Sequence, residues 1–104
     1  MKVEIKVLSG KNIFAEDKDA AREIRVKQIL PTLKNSNNVI LDFSSIRYAT
    51  QSFIHALIGE ALKQYGEDAL DRIEFRHCSP QLRNIIGLVV DYSLGGFKEP
   101  QSRK

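Results

Sequence analysis

Cysteine is all but missing from this chain: Cys78 stands alone, and with only His55 and His77 as further soft donors it can form neither an internal disulfide nor a closed zinc site. Long apolar runs are missing too. No stretch approaches the about 20 residues a bilayer span needs, and Met1 to Gly10 alternates charge with Val and Ile where a signal peptide would carry an apolar block. A cytoplasmic protein without membrane attachment is therefore expected. The glycines Gly10, Gly59, Gly66 and Gly87 are isolated and form no phosphate loop, so no cofactor is expected. Internal repeats and low-complexity blocks are absent. Charge of one sign is lacking as well: 16 basic and 13 acidic residues are interleaved, so the net charge of +3 and the pI of about 9.1 describe a mixed, solvated surface.

What is present suits one compact unit. A length of 104 residues with 42% hydrophobic content supports one core. One domain is expected over residues 1–96, with 97–104, which contains Pro100, as a mobile tail.

Lys2 to Leu8 alternates, with Val3, Ile5 and Val7 on one face and Lys2, Glu4 and Lys6 on the other, the pattern of a half-exposed edge strand. Turn residues follow at Ser9-Gly10-Lys11-Asn12, then a short second strand at Ile13-Phe14, and Asp17 or Asp19 as cap of a helix over about Lys18 to Leu30. Its apolar positions follow a helical stripe only loosely, with Val26 off it, and Pro31 predicts a kink or a stop. Val39 to Phe43 is nearly continuous in apolar residues, as in a strand covered on both faces by helices. The clearest helix carries Ile54, Leu57, Ile58, Ala61, Leu62 and Tyr65 at helical spacing and stops at Gly66. Arg72 to Cys78 alternates again, which makes His77 a core histidine and Cys78 a small buried residue at a strand end. Ser79-Pro80 then starts a last helix that ends at Gly95-Gly96. This order predicts an α/β fold: a mixed sheet of about four strands with helices packed on it, the central strands parallel.

The strand-to-helix junction concentrates the polar chemistry. Ser44, Ser45, Thr50, Gln51 and Ser52 gather hydroxyl, amide and unpaired backbone N–H groups at one point, a natural docking place for a partner. Phe53 is a large aromatic within this turn, either core or an anchor for a partner groove. Ser52 and Thr50 both qualify as helix cap, worth about 1 kcal/mol. Asp42 inside an apolar strand needs a partner, such as Arg47 or Arg76, and is expected to be a structural anchor for the loop that follows. No further carboxylates accompany it, so no metal site is expected. Ser52 and His55 lie three apart on one helix, yet no carboxylate is placed to orient the imidazole and no oxyanion-hole motif accompanies them, so catalysis is not expected. Lys18, Arg22 and Arg25 stack on the first helix among acidic neighbours and read as a solvated face.

The segment LDFSSIRYATQSFIHALIGEAL, followed by RIEFRHCSPQLRNIIGLVV, resembles the STAS family, named for sulfate transporters and anti-sigma factor antagonists, and in particular its small bacterial STAS-like branch of undefined function. The resemblance covers Lys34 to Leu94, and Met1 to Leu33 in element order only. It implies a regulatory protein-binding module whose partner is a kinase-like ATPase or an anti-sigma factor. In the antagonists a serine at the start of the helix after this strand is phosphorylated, which switches binding off. Laid on this chain, the family's Asp-Ser-Ser-Gly motif places Thr50 at the aspartate, Gln51 at the first serine, Ser52 at the phosphorylated serine and Phe53 at the glycine; only Ser52 is unchanged. Two other classes compete. The pI and the Arg103-Lys104 end suggest a nucleic-acid-associated accessory protein, without a helix-turn-helix or stacking aromatics to support it. Since STAS relatives sometimes bind nucleotides, a small-ligand or nucleotide sensor is the other.

Overall fold

The computed structural model describes residues 1–9 and 13–95. Most of the turn expected at 9–12, Gly96 of the expected helix stop and the whole tail 97–104 lie outside the described residues.

The principal sheet has three strands, β1 (Lys2–Lys6), β3 (Asn38–Asp42) and β5 (Ile73–Arg76), in the order β1-β3-β5 and all parallel. Between them in sequence, β2 (Phe14–Ala15) and β4 (Tyr48–Ala49) form a separate parallel ladder. This corrects the expected mixed sheet of about four strands. The segment after β1 does not add to an edge; its Ile13 carbonyl instead accepts the Arg47 N–H at 2.7 Å, and Ala15 accepts the Thr50 N–H at 3.0 Å. Strands of two residues are too short to extend the sheet, and they tie together the chain leaving β1 and β3.

In a parallel ladder, paired residues share a face. Val3, Val39 and Ile73 form one row, and Ile5, Leu41 and Phe75 the next, against which the helices pack. The opposite face carries the rows Glu4, Ile40, Glu74 and Lys6, Asp42, Arg76. Helices therefore cover β3 on one face only, contrary to the expectation of two. Ile40 is nevertheless only 7% exposed, because Lys2 reaches over it to Glu74 at 3.8 Å and Arg76 bonds Glu74 at 2.8 Å. Long charged side chains here do the covering that a helix layer would do elsewhere.

The first helix runs over 18–34, capped by Asp17, whose carboxylate accepts the Asp19 N–H at 2.9 Å. Pro31 neither stops it nor ends it. The turn before it, Arg25–Ile29, is π-helical, and the Leu30 N–H reaches back to the Arg25 carbonyl. The wider turn takes up the missing donor and the ring's bulk, the usual cause of a proline kink. It also accounts for the loose stripe: the buried residues Ala21, Ile24, Ile29 and Leu33 share a face only because one extra residue is inserted, and Val26 is left 51% exposed.

The second long helix spans 51–65 and holds another π-helical turn at His55–Gly59. The two π turns meet, and Arg25 Nη1 donates to the Ala56 carbonyl at 3.2 Å. Arg25 is thus half-buried and bonded, not part of a solvated face. Gly66, with φ of 63°, ends this helix, and an additional short helix, Glu67–Arg72, follows before β5. Arg72 belongs to that helix, not to the strand. The alternation expected through Cys78 breaks at His77, which is exposed and left-handed with φ of 62°, so it is not a core histidine. The last helix, Pro80–Ser93, is capped as expected by Ser79, whose Oγ accepts the Leu82 N–H at 3.1 Å. Among the described residues, no helix is long and apolar enough to cross a membrane.

Candidate functional site

In a parallel sheet each strand delivers the chain to the N-terminus of the next helix, so the starts of the helices collect at the carboxyl end of the sheet, where such folds hold their ligands. Asp42 closes β3 there. Its Oδ1 accepts the Ser44 N–H at 2.9 Å, and its own carbonyl takes the Val7 N–H at 2.9 Å, fastening β1 to the start of the loop. The Ser44 backbone bond, assisted by the Ser44 hydroxyl and the charges of His77 and Lys6, outweighs burial and holds the Asp42 carboxyl below the usual carboxylate range. Arg76, the partner considered from sequence, bonds Glu74 instead and lowers that carboxyl.

A carboxyl depressed by folding contributes stability above its unfolded value of about 3.9, and that contribution is lost as pH falls through the lower folded value. Asp42→Asn should therefore flatten the acid limb of an equilibrium denaturation series below about pH 4, while near neutrality it costs about 1 kcal/mol. An acid limb identical to that of wild type would show that Asp42 is not held by Ser44.

Beyond β4 the chain turns into the second helix. Thr50 Oγ1 accepts the Phe53 N–H at 3.0 Å, so Thr50 is the cap. Ser52 sits in the first turn, exposed, and its hydroxyl has no hydrogen-bond partner among the described residues. Thr50→Ala should cost about 1 kcal/mol in chemical denaturation, whereas Ser52→Ala should change stability by less than about 0.5 kcal/mol. The reverse order would make Ser52 the cap.

Phe53 is fully buried, so its ring belongs to the scaffold of the turn and not to its surface. Gln51 and Ser52, with His55 and Ala56 one turn on, form one wall of a shallow groove of about 370 Å³; Val89 and Tyr92 of the last helix and Lys18 of the first complete it. His55 lies back along its own helix, its Cδ2 3.0 Å from where a Cβ on Gly59 would stand. Among the described residues, no acidic side chain lines the groove. Ser44 does not line it and borders a different cleft beside Arg47 and His77, and Ser45 lines neither. The structure thus brings together Gln51, Ser52 and the Thr50 cap, and separates Ser44 from them.

Lys18, Val89 and Tyr92 were not anticipated as groove residues. Lys18 directly follows the Asp17 cap, and a helix start in a parallel fold belongs at this end of the sheet; Val89 and Tyr92 come from an element whose packing only the tertiary fold fixes. Cys78 is half-buried, and burial pushes its thiol up. Among the described residues, no three His, Cys, Asp or Glu side chains are grouped as a metal would need.

A family model described as a STAS-like domain of unknown function (DUF4325) matches residues 20–83, from the first helix through the groove-forming helix to the first turn of the last. No curated protein and no solved structure matches the chain.

Proposed function

From the premise that the chain belongs to the family of STAS-like domains of unknown function, we propose that it is a regulatory protein-binding module, similar in action to an anti-sigma factor antagonist, which docks a partner on the groove around Ser52. The observation that carries this is the division of labour at the helix start. Thr50 supplies the cap, so the exposed Ser52 hydroxyl is left without a structural duty. The groove offers Lys18 and His55 beside apolar surface from Ala56, Val89 and Tyr92, a mixture typical of protein recognition.

The partner class is a kinase-like ATPase or anti-sigma factor in the cytoplasm. Phosphorylation of Ser52 would place a charge of about −1.5 to −2 in the first turn of the helix, where the helix tolerates it but an acidic or tightly fitting partner does not. The proposal includes no catalytic activity. Ser52 and His55 share the groove, but among the described residues no carboxylate lines it to hold the imidazole as a base.

The test is affinity capture from the source cell with wild type, Ser52→Ala and Ser52→Asp as baits. An ATPase or other protein retained by the first two and weakened at least about tenfold by Ser52→Asp, a difference of about 1.4 kcal/mol, supports the switch. Equal retention by all three baits moves the binding face elsewhere.

A further inference from the structure

The principal sheet leaves its β1 edge open. Among the described residues β1 pairs with β3 alone, and no backbone bond reaches its other side. The Asn38 N–H bonds the Met1 carbonyl at 2.8 Å and the Val7 N–H bonds the Asp42 carbonyl at 2.9 Å, so the odd-numbered residues turn their backbone groups toward β3. Strand alternation turns those of Lys2, Glu4 and Lys6 outward, a row of donors and acceptors that a further strand can pair.

The opposite edge, β5, is less suited to that. It has four residues, and His77, left-handed with φ of 62°, bends the chain away at its end. Its charges Glu74 and Arg76 already bond one another at 2.8 Å. On β1, Lys2 is engaged with Glu74 at 3.8 Å, whereas Glu4 and Lys6 are exposed and form no ion pair among the described residues.

Charges protect an edge against strands of the wrong pattern, and these two also select a strand that fits. Two copies of β1 related by a twofold axis run antiparallel, with their outward-facing residues opposite one another. Centred on Glu4, the register sets Glu4 against itself and Lys2 against Lys6. Centred on Val3, it sets Glu4 against Lys2, which is already engaged. Centred on Ile5, it sets Glu4 of each copy against Lys6 of the other, so both free charges meet their opposites.

We propose that this chain forms a twofold dimer by antiparallel pairing of its β1 edges in the register centred on Ile5, which joins two three-stranded sheets into one of six strands. Ile5 and Val7 are already buried within their own copy, so pairing adds backbone bonds and two Glu4–Lys6 ion pairs but little apolar area. The dimer is therefore reversible and depends on concentration. No β1 residue lines the Ser52 groove, so dimerisation leaves that groove open to its own partner.

The test is sedimentation equilibrium of the full chain over about a hundredfold range of concentration, up to about 1 mM. Wild type should pass from monomer to dimer and no further, since pairing about the axis consumes both β1 edges. Glu4→Lys alone and Lys6→Glu alone each place like charges opposite one another twice, and each should weaken the dimer at least about tenfold. Mixed in equal amounts, the two variants should associate with each other to within about threefold of the wild-type affinity, which neither a misfolded variant nor the register centred on Val3 would give. The proposal is overturned if wild type stays monomeric throughout, if it grows beyond a dimer, if either variant alone associates as tightly as wild type, or if the mixture does not restore association.

Discussion

Phe53→Ala is expected to lower the unfolding free energy by about 3–5 kcal/mol, a large share of the about 5–15 kcal/mol that holds a domain of ordinary stability. The ring is completely buried, and it lies one residue after the exposed Ser52 and three after the cap that orients the helix start. Its loss removes the transfer free energy of an aromatic side chain and leaves a cavity at the seam of the second helix, where the last helix also packs. Phe53→Leu, which fills most of that volume, should recover more than half of the loss. Chemical denaturation of Phe53→Ala, Phe53→Leu and Ser52→Ala separates the two neighbours. A loss below about 1 kcal/mol for Phe53→Ala would mean that the ring is not core. The contrast also guards the binding experiment, since a surface effect at Ser52 has to appear without the destabilisation that marks its neighbour.

How much of this could be read from the chain depended on how local the determining physics is. The stripe from Ile54 to Tyr65, the Ser79-Pro80 start and the cap at Asp17, one of the two aspartates the pattern offered, are set by residues within a turn or two of one another. The π turns are not. A template of three- and four-residue spacings has no place for Ile24 followed by Ile29, so the first helix looked irregular and Pro31 looked like a kink or a stop. The sheet failed for a related reason. Alternation marks a strand but not its neighbour, and Phe14–Ala15 found Tyr48–Ala49 across more than thirty intervening residues. At His77 the side-chain parity continued while the backbone had already turned left-handed. The candidate site was legible where it lies on one junction, at Thr50, Gln51 and Ser52, and illegible where Lys18 and Tyr92 arrive from other helices.

Arg72 is the residue whose importance alternation concealed most completely, and Arg72→Ala is expected to cost about 2–4 kcal/mol. Its Nη2 donates to the Leu33 carbonyl at 2.7 Å and to the Asn37 carbonyl at 3.0 Å, joining the end of the first helix to the entry of β3. The guanidinium also stands 5.9 Å from the centroid of the Tyr65 ring, and its side chain is only 18% exposed. Each bond from a charged donor contributes about 1.5–3 kcal/mol, and truncation leaves the acceptors in a place where water reaches poorly. The ion pair with Asp68 at 3.3 Å adds little, because that carboxylate is 65% exposed and screened. Three measurements separate these contributions. Asp68→Ala should cost no more than about 0.5 kcal/mol. Arg72→Lys keeps the charge but loses the planar guanidinium, which serves both carbonyls through Nη2 while Nη1 holds Asp68, and should recover less than half of the loss. The advantage of wild type over Arg72→Ala should persist in high salt, since carbonyl acceptors are not screened as an exposed ion pair is; its disappearance there would transfer the effect to Asp68 and refute the role of Arg72 as the tie between the first helix and the central strand.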